Sequence, residues 1–121
     1  MRKVIVLLAL AALVAGPAAL AKERNVQMLA APVAPKAGHA WYATITVKVD
    51  GKLMPSIGKT PTVRLISAAH RVINVRSLST IKSGIYRARL VFPTAGMWRV
   101  LVIDNVTGRS YEFRHVRVRA A

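Results

Sequence analysis

The side chains with the most obvious potential for chemistry are histidines and methionines, which include residue types that copper prefers as ligands. They are His39, His70, His115, Met28, Met54 and Met97. None of them falls in an H-x-H, M-x-M or H-x-x-M pattern, so the spacing does not bring two ligands together. The sequence therefore predicts no metal site. A periplasmic copper-binding or copper-trafficking domain stays open as an alternative, if folding brings these side chains within ligand reach.

Acid–base and nucleophilic catalysis have few candidate residues in this chain. It contains no cysteine and four acidic residues, which are Glu23, Asp50, Asp104 and Glu112. These carboxyl groups are too scattered in sequence to predict a catalytic pair, and no G-x-S-x-G motif is present. We therefore expect a protein that is not an enzyme, with no catalytic residues and no cofactor.

Positive charge dominates the composition. Lysine and arginine number 19 against four acidic residues, which gives a formal net charge of +15. Such an imbalance favours association with an anionic envelope surface or with an acidic protein, although it also serves simply to keep a protein soluble. The basic residues are not interleaved with exposed aromatics, so no sequence-specific nucleic-acid binding is predicted.

The first 21 residues have the three parts of a secretory signal peptide. Arg2 and Lys3 are basic, residues 4–14 are uninterrupted apolar residues, and Ala19-Leu20-Ala21 is an A-x-A cleavage site. The apolar run is short for a bilayer span, although an uncleaved anchor remains an alternative. We predict cleavage after Ala21 and an exported protein, periplasmic or secreted, with no transmembrane span in the mature chain.

Residues 22–121 are predicted to form one domain. Their hydrophobic pattern has a period of two, which is typical of half-buried strands. The predicted strands cover residues 25–30, 41–49, 62–67, 71–77, 86–92, 98–103 and 109–119. Turn residues separate these segments at short intervals, so we expect an all-β fold, a single immunoglobulin-like antiparallel β-sandwich of about seven strands. In the last strand the alternation of apolar residues shifts by one position, from odd-numbered to even-numbered residues. A β-bulge near Arg114-His115 would place Tyr111, Phe113, Val116 and Val118 on one face.

The segment Gly84-Ile85-Tyr86-Arg87-Ala88, followed by Pro93-Thr94-Ala95-Gly96-Met97-Trp98, and the earlier run Pro35-Lys36-Ala37-Gly38-His39-Ala40-Trp41 carry a family resemblance. The chain resembles the YtkA-like bacterial extracytoplasmic domains over residues 35–118 and, more distantly, the CopC-like copper-resistance domains. This resemblance implies an immunoglobulin-like sandwich and export. It implies little about activity.

The predicted strands also organise the arginines. If the apolar residues of the third, sixth and seventh strands face the core, Arg64, Arg99, Arg117 and Arg119 point outward. These three strands share a sheet in an immunoglobulin-like topology, so the four arginines would form a stripe on its exposed face. The planar guanidinium group suits phosphate or carboxylate, and we therefore predict this stripe as the anion- or partner-binding site. The alternative is a solvated face that discourages aggregation at the sheet edge.

Overall fold

The computed structural model describes residues 24–29, 34–55 and 59–121, and the predicted signal peptide lies outside them. The strands are β1 (Arg24–Leu29), β2 (Ala40–Val49), β3 (Lys52–Leu53), β4 (Thr62–Ser67), β5 (Val72–Arg76), β6 (Leu78–Ser79), β7 (Ile85–Val91), β8 (Gly96–Ile103) and β9 (Ser110–Val118). All seven predicted strands are present, and the two additional ones, β3 and β6, have two residues each. The described residues contain no helical segment with the length and hydrophobicity of a bilayer span.

The strands form two antiparallel sheets, as the sequence predicted. The first sheet has the order β1-β2-β7-β6, with β3 paired to β2, and the second has the order β5-β4-β8-β9. As in the immunoglobulin arrangement, the third, sixth and seventh main strands (β4, β8 and β9) lie together in one sheet, and here the fourth main strand, β5, pairs with β4 in that same sheet. The strands that carry the predicted arginine stripe are therefore neighbours in the second sheet.

Alternating apolar residues from both sheets build the core. Tyr86, Ala88 and Leu90 of β7 are buried, while Arg87 and Arg89 between them are exposed. From the second sheet, Trp98 is 1% exposed, and its indole meets the Phe92 ring edge-on at a centroid distance of 5.7 Å. The Trp98 indole N–H donates to the Thr94 carbonyl at 3.0 Å, so its polar atom is satisfied inside the core.

The β-bulge predicted in the last strand is present, one or two residues before its expected position. Val100 of β8 lies opposite Arg114, and Leu101 lies opposite Glu112, so Phe113 is the extra residue. Tyr111 and Phe113 pack against the core that contains Val116 and Val118. The extra residue allows these four side chains to face the core, which strict alternation along the strand would not permit.

The chain changes sheets between β5 and β6. The Ser77 backbone N–H donates to the Pro61 carbonyl at 3.1 Å, and its hydroxyl donates to the same oxygen at 2.5 Å. Ser77 is fully buried at this crossing, whereas β6 immediately after it is exposed. Because β6 pairs with β7 over only two residues, the outer edge of the first sheet ends in a short strand and a loop.

Candidate functional site

The predicted stripe lies on one sheet, and its members are spread obliquely across the strands. Arg99 on β8 lies opposite His115 on β9, while Arg117 lies opposite Met97. Arg99 and Arg117 are therefore diagonal neighbours, a separation that long side chains can span. Arg64 on β4 is likewise diagonal to Arg99, since its partner in the ladder is Leu101. Arg119 follows β9 and is exposed, like Arg99 and Arg117.

The central member of the stripe is held in an ion pair. Arg99 Nη2 lies 2.8 Å from Glu112 Oε1, and Arg99 Nε lies 3.0 Å from Oε2. These hydrogen bonds lower the pKa of Glu112 and raise the pKa of Arg99 from their ordinary values. His115 Nε2 is also 3.1 Å from Glu112 Oε2. The positive charge at the centre of the stripe is thus offset by a carboxylate, a contact that strand alternation alone does not predict.

Arg64 has a different partner. Its Nε donates to Asn74 Oδ1 on the neighbouring strand β5 at 2.8 Å, and the residue is half-buried. An amide oxygen leaves the guanidinium charge in place, but it uses one donor and directs the side chain along the sheet. Arg64 is consequently less available to an external anion than a fully exposed arginine would be.

Three arginines that form no salt bridge with a described residue lie close together along and just after the edge strand β9. Arg114, Arg117 and Arg119 line a shallow cavity of about 280 Å³ together with Ala34, His115 and Val116. The described lining contains no acidic residue, although His115 within it contacts Glu112, and no salt bridge among the described residues involves the three arginines. We call Arg114, Arg117 and Arg119 the arginine cleft.

The backbone beside the arginine cleft is well anchored. The Arg119 N–H donates to the Pro35 carbonyl at 2.8 Å, and the Arg119 carbonyl accepts from the Ala37 N–H at 2.9 Å. These bonds accompany a parallel bridge between Arg119 and Lys36, which is also exposed. The bridge places a lysine next to the cleft and fixes the end of the chain on the sandwich.

Sequence reasoning found Arg117 and Arg119 but missed Arg114. The signal for it was the bulge, because an inserted residue changes which side chains of β9 reach the edge of the sheet. The bulge that the aromatic residues predict therefore also affects the position of Arg114. The structure thus brings together two of the four predicted residues with one new member, and places Arg64 and Arg99 in polar contacts of their own.

The candidate metal ligands are mostly dispersed. His39 precedes β2, His70 lies in the β4–β5 loop, and His115 is on β9. Over residues 24–29, 34–55 and 59–121, no group of three or more histidine or acidic side chains is arranged to hold a metal ion. Met97 of β8 and His115 of β9 do line one shallow pocket of about 150 Å³, which the end of β4 also borders.

The acidic residues that the structure describes serve mainly in ion pairs. Asp104 is fully buried and contacts Arg24, and Glu112 contacts Arg99. Asp50 occupies the β2–β3 turn with a positive φ of 52°, and Glu23 lies outside the described residues. Asp104 and Glu112 lie on the same β8–β9 hairpin, but the Asp104 carboxylate is buried against Arg24 and the Glu112 carboxylate is exposed beside Arg99. The two groups therefore have separate partners, and neither is arranged as half of a catalytic pair.

A comparison with protein-family models and with curated proteins found no match. The resemblance to YtkA-like domains accordingly stays a prediction. Any proposal for function depends on the geometry and charge of the surface.

Proposed function

We propose that this protein is an exported, non-catalytic binding or accessory module whose basic surface contacts an anionic envelope component or an acidic partner protein. The observation that carries the proposal is the arginine cleft, where three arginines that form no salt bridge with a described residue line one cavity. Guanidinium groups bind phosphate and carboxylate oxygens through paired hydrogen bonds, which gives such a cleft both attraction and geometry.

The wider surface supports the same proposal. Arg64 and Arg99 continue the positive charge across the second sheet, although Asn74 and Glu112 engage them. A long anionic polymer would contact the arginine cleft most strongly and these two residues less, because an anion must compete with Glu112 for Arg99. The contribution of each arginine to anion affinity should therefore depend on the group that it already contacts as well as on its charge.

A binding series with inorganic polyphosphate tests the proposal. We expect the triple variant Arg114→Gln, Arg117→Gln, Arg119→Gln to lose at least about tenfold in affinity, or about 1.4 kcal/mol. The matched control is Lys52→Gln, Lys59→Gln, Arg71→Gln, which removes the same charge from exposed positions outside the cleft. Lys36 is unsuitable as a control because it is bridged to Arg119.

Two outcomes would contradict the assignment to the cleft. Equal losses in the two triple variants would mean that only the overall field of the protein attracts anions. A larger loss from Arg64→Gln with Arg99→Gln than from Arg114→Gln with Arg117→Gln would place the site at the centre of the sheet.

Binding should also weaken as salt rises, since screening shortens electrostatic reach to about 10 Å at 0.1 M.

Export is part of this proposal and has its own test. Cleavage after Ala21 would leave Lys22 as the first residue of the exported protein. N-terminal sequencing of protein from the extracytoplasmic fraction should find that residue. A retained Met1 in membrane-embedded material would instead favour the uncleaved anchor.

Copper binding is the second candidate, and the shared pocket of Met97 and His115 is the observation that favours it. A thioether and an imidazole are ligands that suit copper. A third ligand would have to come from solvent or from a nearby residue. Copper titration should then fail in Met97→Leu and His115→Gln but not in Met54→Leu. Equal copper uptake by all three variants would exclude this pocket as the site.

A further inference from the structure

The exposed face of the first sheet carries an apolar groove that the proposed function does not use. Its volume is about 470 Å³, and its lining includes Tyr42, Leu78, Ile81, Arg87 and Arg89. Leu78 is 68% exposed and Ile81 is fully exposed at 107%. Large apolar side chains gathered on an open surface mark an interaction site more often than isolated ones do.

The strand register brings these residues together. Tyr42 of β2 lies opposite Arg89 of β7, and Arg87 lies opposite Leu78 of β6. The Arg87 guanidinium carbon sits 5.1 Å from the centre of the Tyr42 ring, which is a cation–π arrangement. The face therefore combines aliphatic, aromatic and cationic groups within neighbouring strands.

Ile81 is held outward by a hydrogen-bonded loop. The Thr80 N–H donates to the Ile85 carbonyl at 3.1 Å, and the Thr80 hydroxyl lies 2.9 Å from the same oxygen. The Ile85 N–H donates to the Lys82 carbonyl at 3.2 Å, and the Lys82 N–H donates to Thr80 Oγ1 at 3.2 Å. These contacts close the turn around Ile81, so the hydrogen-bonded conformation of the loop is the one that exposes this side chain.

Among the described residues, the charged side chains that line this groove are all basic. Arg87 and Arg89 take part in no salt bridge within the part of the chain that the structure describes. Asp104 and Glu112 belong to the second sheet and its hairpin, and Asp50 lies beyond the opposite end of β2 from Tyr42. A partner that presents negative charge beside apolar groups would therefore complement both the basic and the apolar side chains of this groove.

We propose that this face docks on an anionic lipid bilayer, with Leu78 and Ile81 inserted among the lipids. Arg87, Arg89 and Lys82 would contact headgroup phosphates, and Tyr42 would lie at the interface between them. A bilayer supplies negative charge and an apolar interior side by side, and long basic side chains reach its headgroups while their stems stay apolar. A protruding isoleucine at a loop tip enters a fluid surface without needing a complementary cavity.

This inference goes beyond the proposed function, because it uses the opposite sheet of the sandwich. The arginine cleft would remain accessible while the first sheet lies on the membrane. The two ideas can therefore fail separately, since soluble polyphosphate tests the cleft and vesicles test this face.

The experiment is flotation of the protein with vesicles of phosphatidylcholine containing phosphatidylglycerol. Leu78→Ser with Ile81→Ser should reduce vesicle binding by about tenfold or more, without altering polyphosphate affinity. Val72→Ser with Val106→Ser is the matched control, because these side chains are 51% and 47% exposed but lie elsewhere. The control should bind vesicles like the wild type, and pure phosphatidylcholine should bind all of them weakly.

Insertion has a direct readout that does not depend on affinity. An Ile81→Trp variant should show blue-shifted emission on anionic vesicles and quenching by brominated acyl chains, whereas Val106→Trp should not. The proposal is overturned if wild-type protein ignores anionic vesicles or if the serine pair binds them normally. It is equally overturned if a monomeric anionic amphiphile or a soluble acidic protein occupies the groove and vesicles do not.

Discussion

Arg24 and Asp104 form an ion pair that joins the two sheets of the sandwich across 80 positions of sequence. Arg24 begins β1 in the first sheet, and Asp104 directly follows β8 in the second. Asp104 is fully buried, while 16% of the Arg24 side chain is exposed. Arg24 Nη2 donates to Asp104 Oδ1 at 3.1 Å, and Nε donates to Oδ2.

The same carboxylate organises the β8–β9 hairpin. Its Oδ1 accepts from the Val106 N–H at 3.0 Å, and its Oδ2 lies 3.2 Å from the Thr107 hydroxyl. The Asp104 backbone also accepts from the Gly108 N–H at 2.7 Å. One buried side chain thus ties the N-terminal strand to the turn before the strand that carries the arginine cleft.

Replacing this carboxylate should destabilise the fold. We expect Asp104→Asn to lower the free energy of unfolding by about 3 kcal/mol, because it leaves a partly buried guanidinium without its charged partner. Urea unfolding measures the loss. Glu112→Gln is the control, since its ion pair with Arg99 is exposed to water and should matter much less. Equal losses in the two variants would contradict a structural role for Asp104.

The same ion pair predicts a pH dependence of stability. Burial alone would raise the pKa of Asp104, but the hydrogen bonds from Arg24 and the Val106 N–H outweigh it and lower the pKa below 3.8. Stability from this group is therefore complete above its unfolded pKa and is lost as the pH falls through the lower folded pKa. Urea unfolding at pH 7 and in acid should show this loss in the wild type, and Asp104→Asn should show less of it.

Trp98 is expected to be a major source of core stability. Truncation to alanine should cost about 3–5 kcal/mol, because it removes a buried indole and leaves a cavity beside Phe92. Trp98→Phe keeps most of the volume but loses the hydrogen bond to Thr94, so it should cost less than the alanine variant. Urea midpoints for the two variants decide the matter, and an alanine loss under about 1 kcal/mol would refute the core assignment.

Gly84 should tolerate substitution worse than Gly108 does. Both have positive φ, at 82° and 81°, so alanine at either position adopts an unfavourable backbone conformation. A Cβ on Gly84 would also lie 2.8 Å from the Met54 backbone nitrogen, whereas a Cβ on Gly108 meets nothing within 4 Å. Thermal unfolding should show the larger loss for Gly84→Ala, and the reverse order would mean that β3 shifts easily away from the turn.

Much of the fold was predictable because strand alternation is a local property. The period of two in residues 41–49 and 86–92 identified β2 and β7 and the side chains that face the core. The change of parity after Phe113 even indicated the bulge. The outward direction of Arg64, Arg99 and Arg117 followed from the same alternation, since neighbouring residues on a strand point to opposite faces.

What the alternation could not determine was which charged side chains meet. Glu112 reaches Arg99 because β8 and β9 pair in one register around the bulge, and Asp104 reaches Arg24 because the two sheets close on each other. The exposure of Leu78 and Ile81 depends on where the chain leaves one sheet for the other at Ser77. The sequence by itself determined the strands, their faces and the excess of positive charge. Only the tertiary structure decided which charges are neutralised, because those contacts join residues that are distant along the chain and depend on strand register and sheet packing.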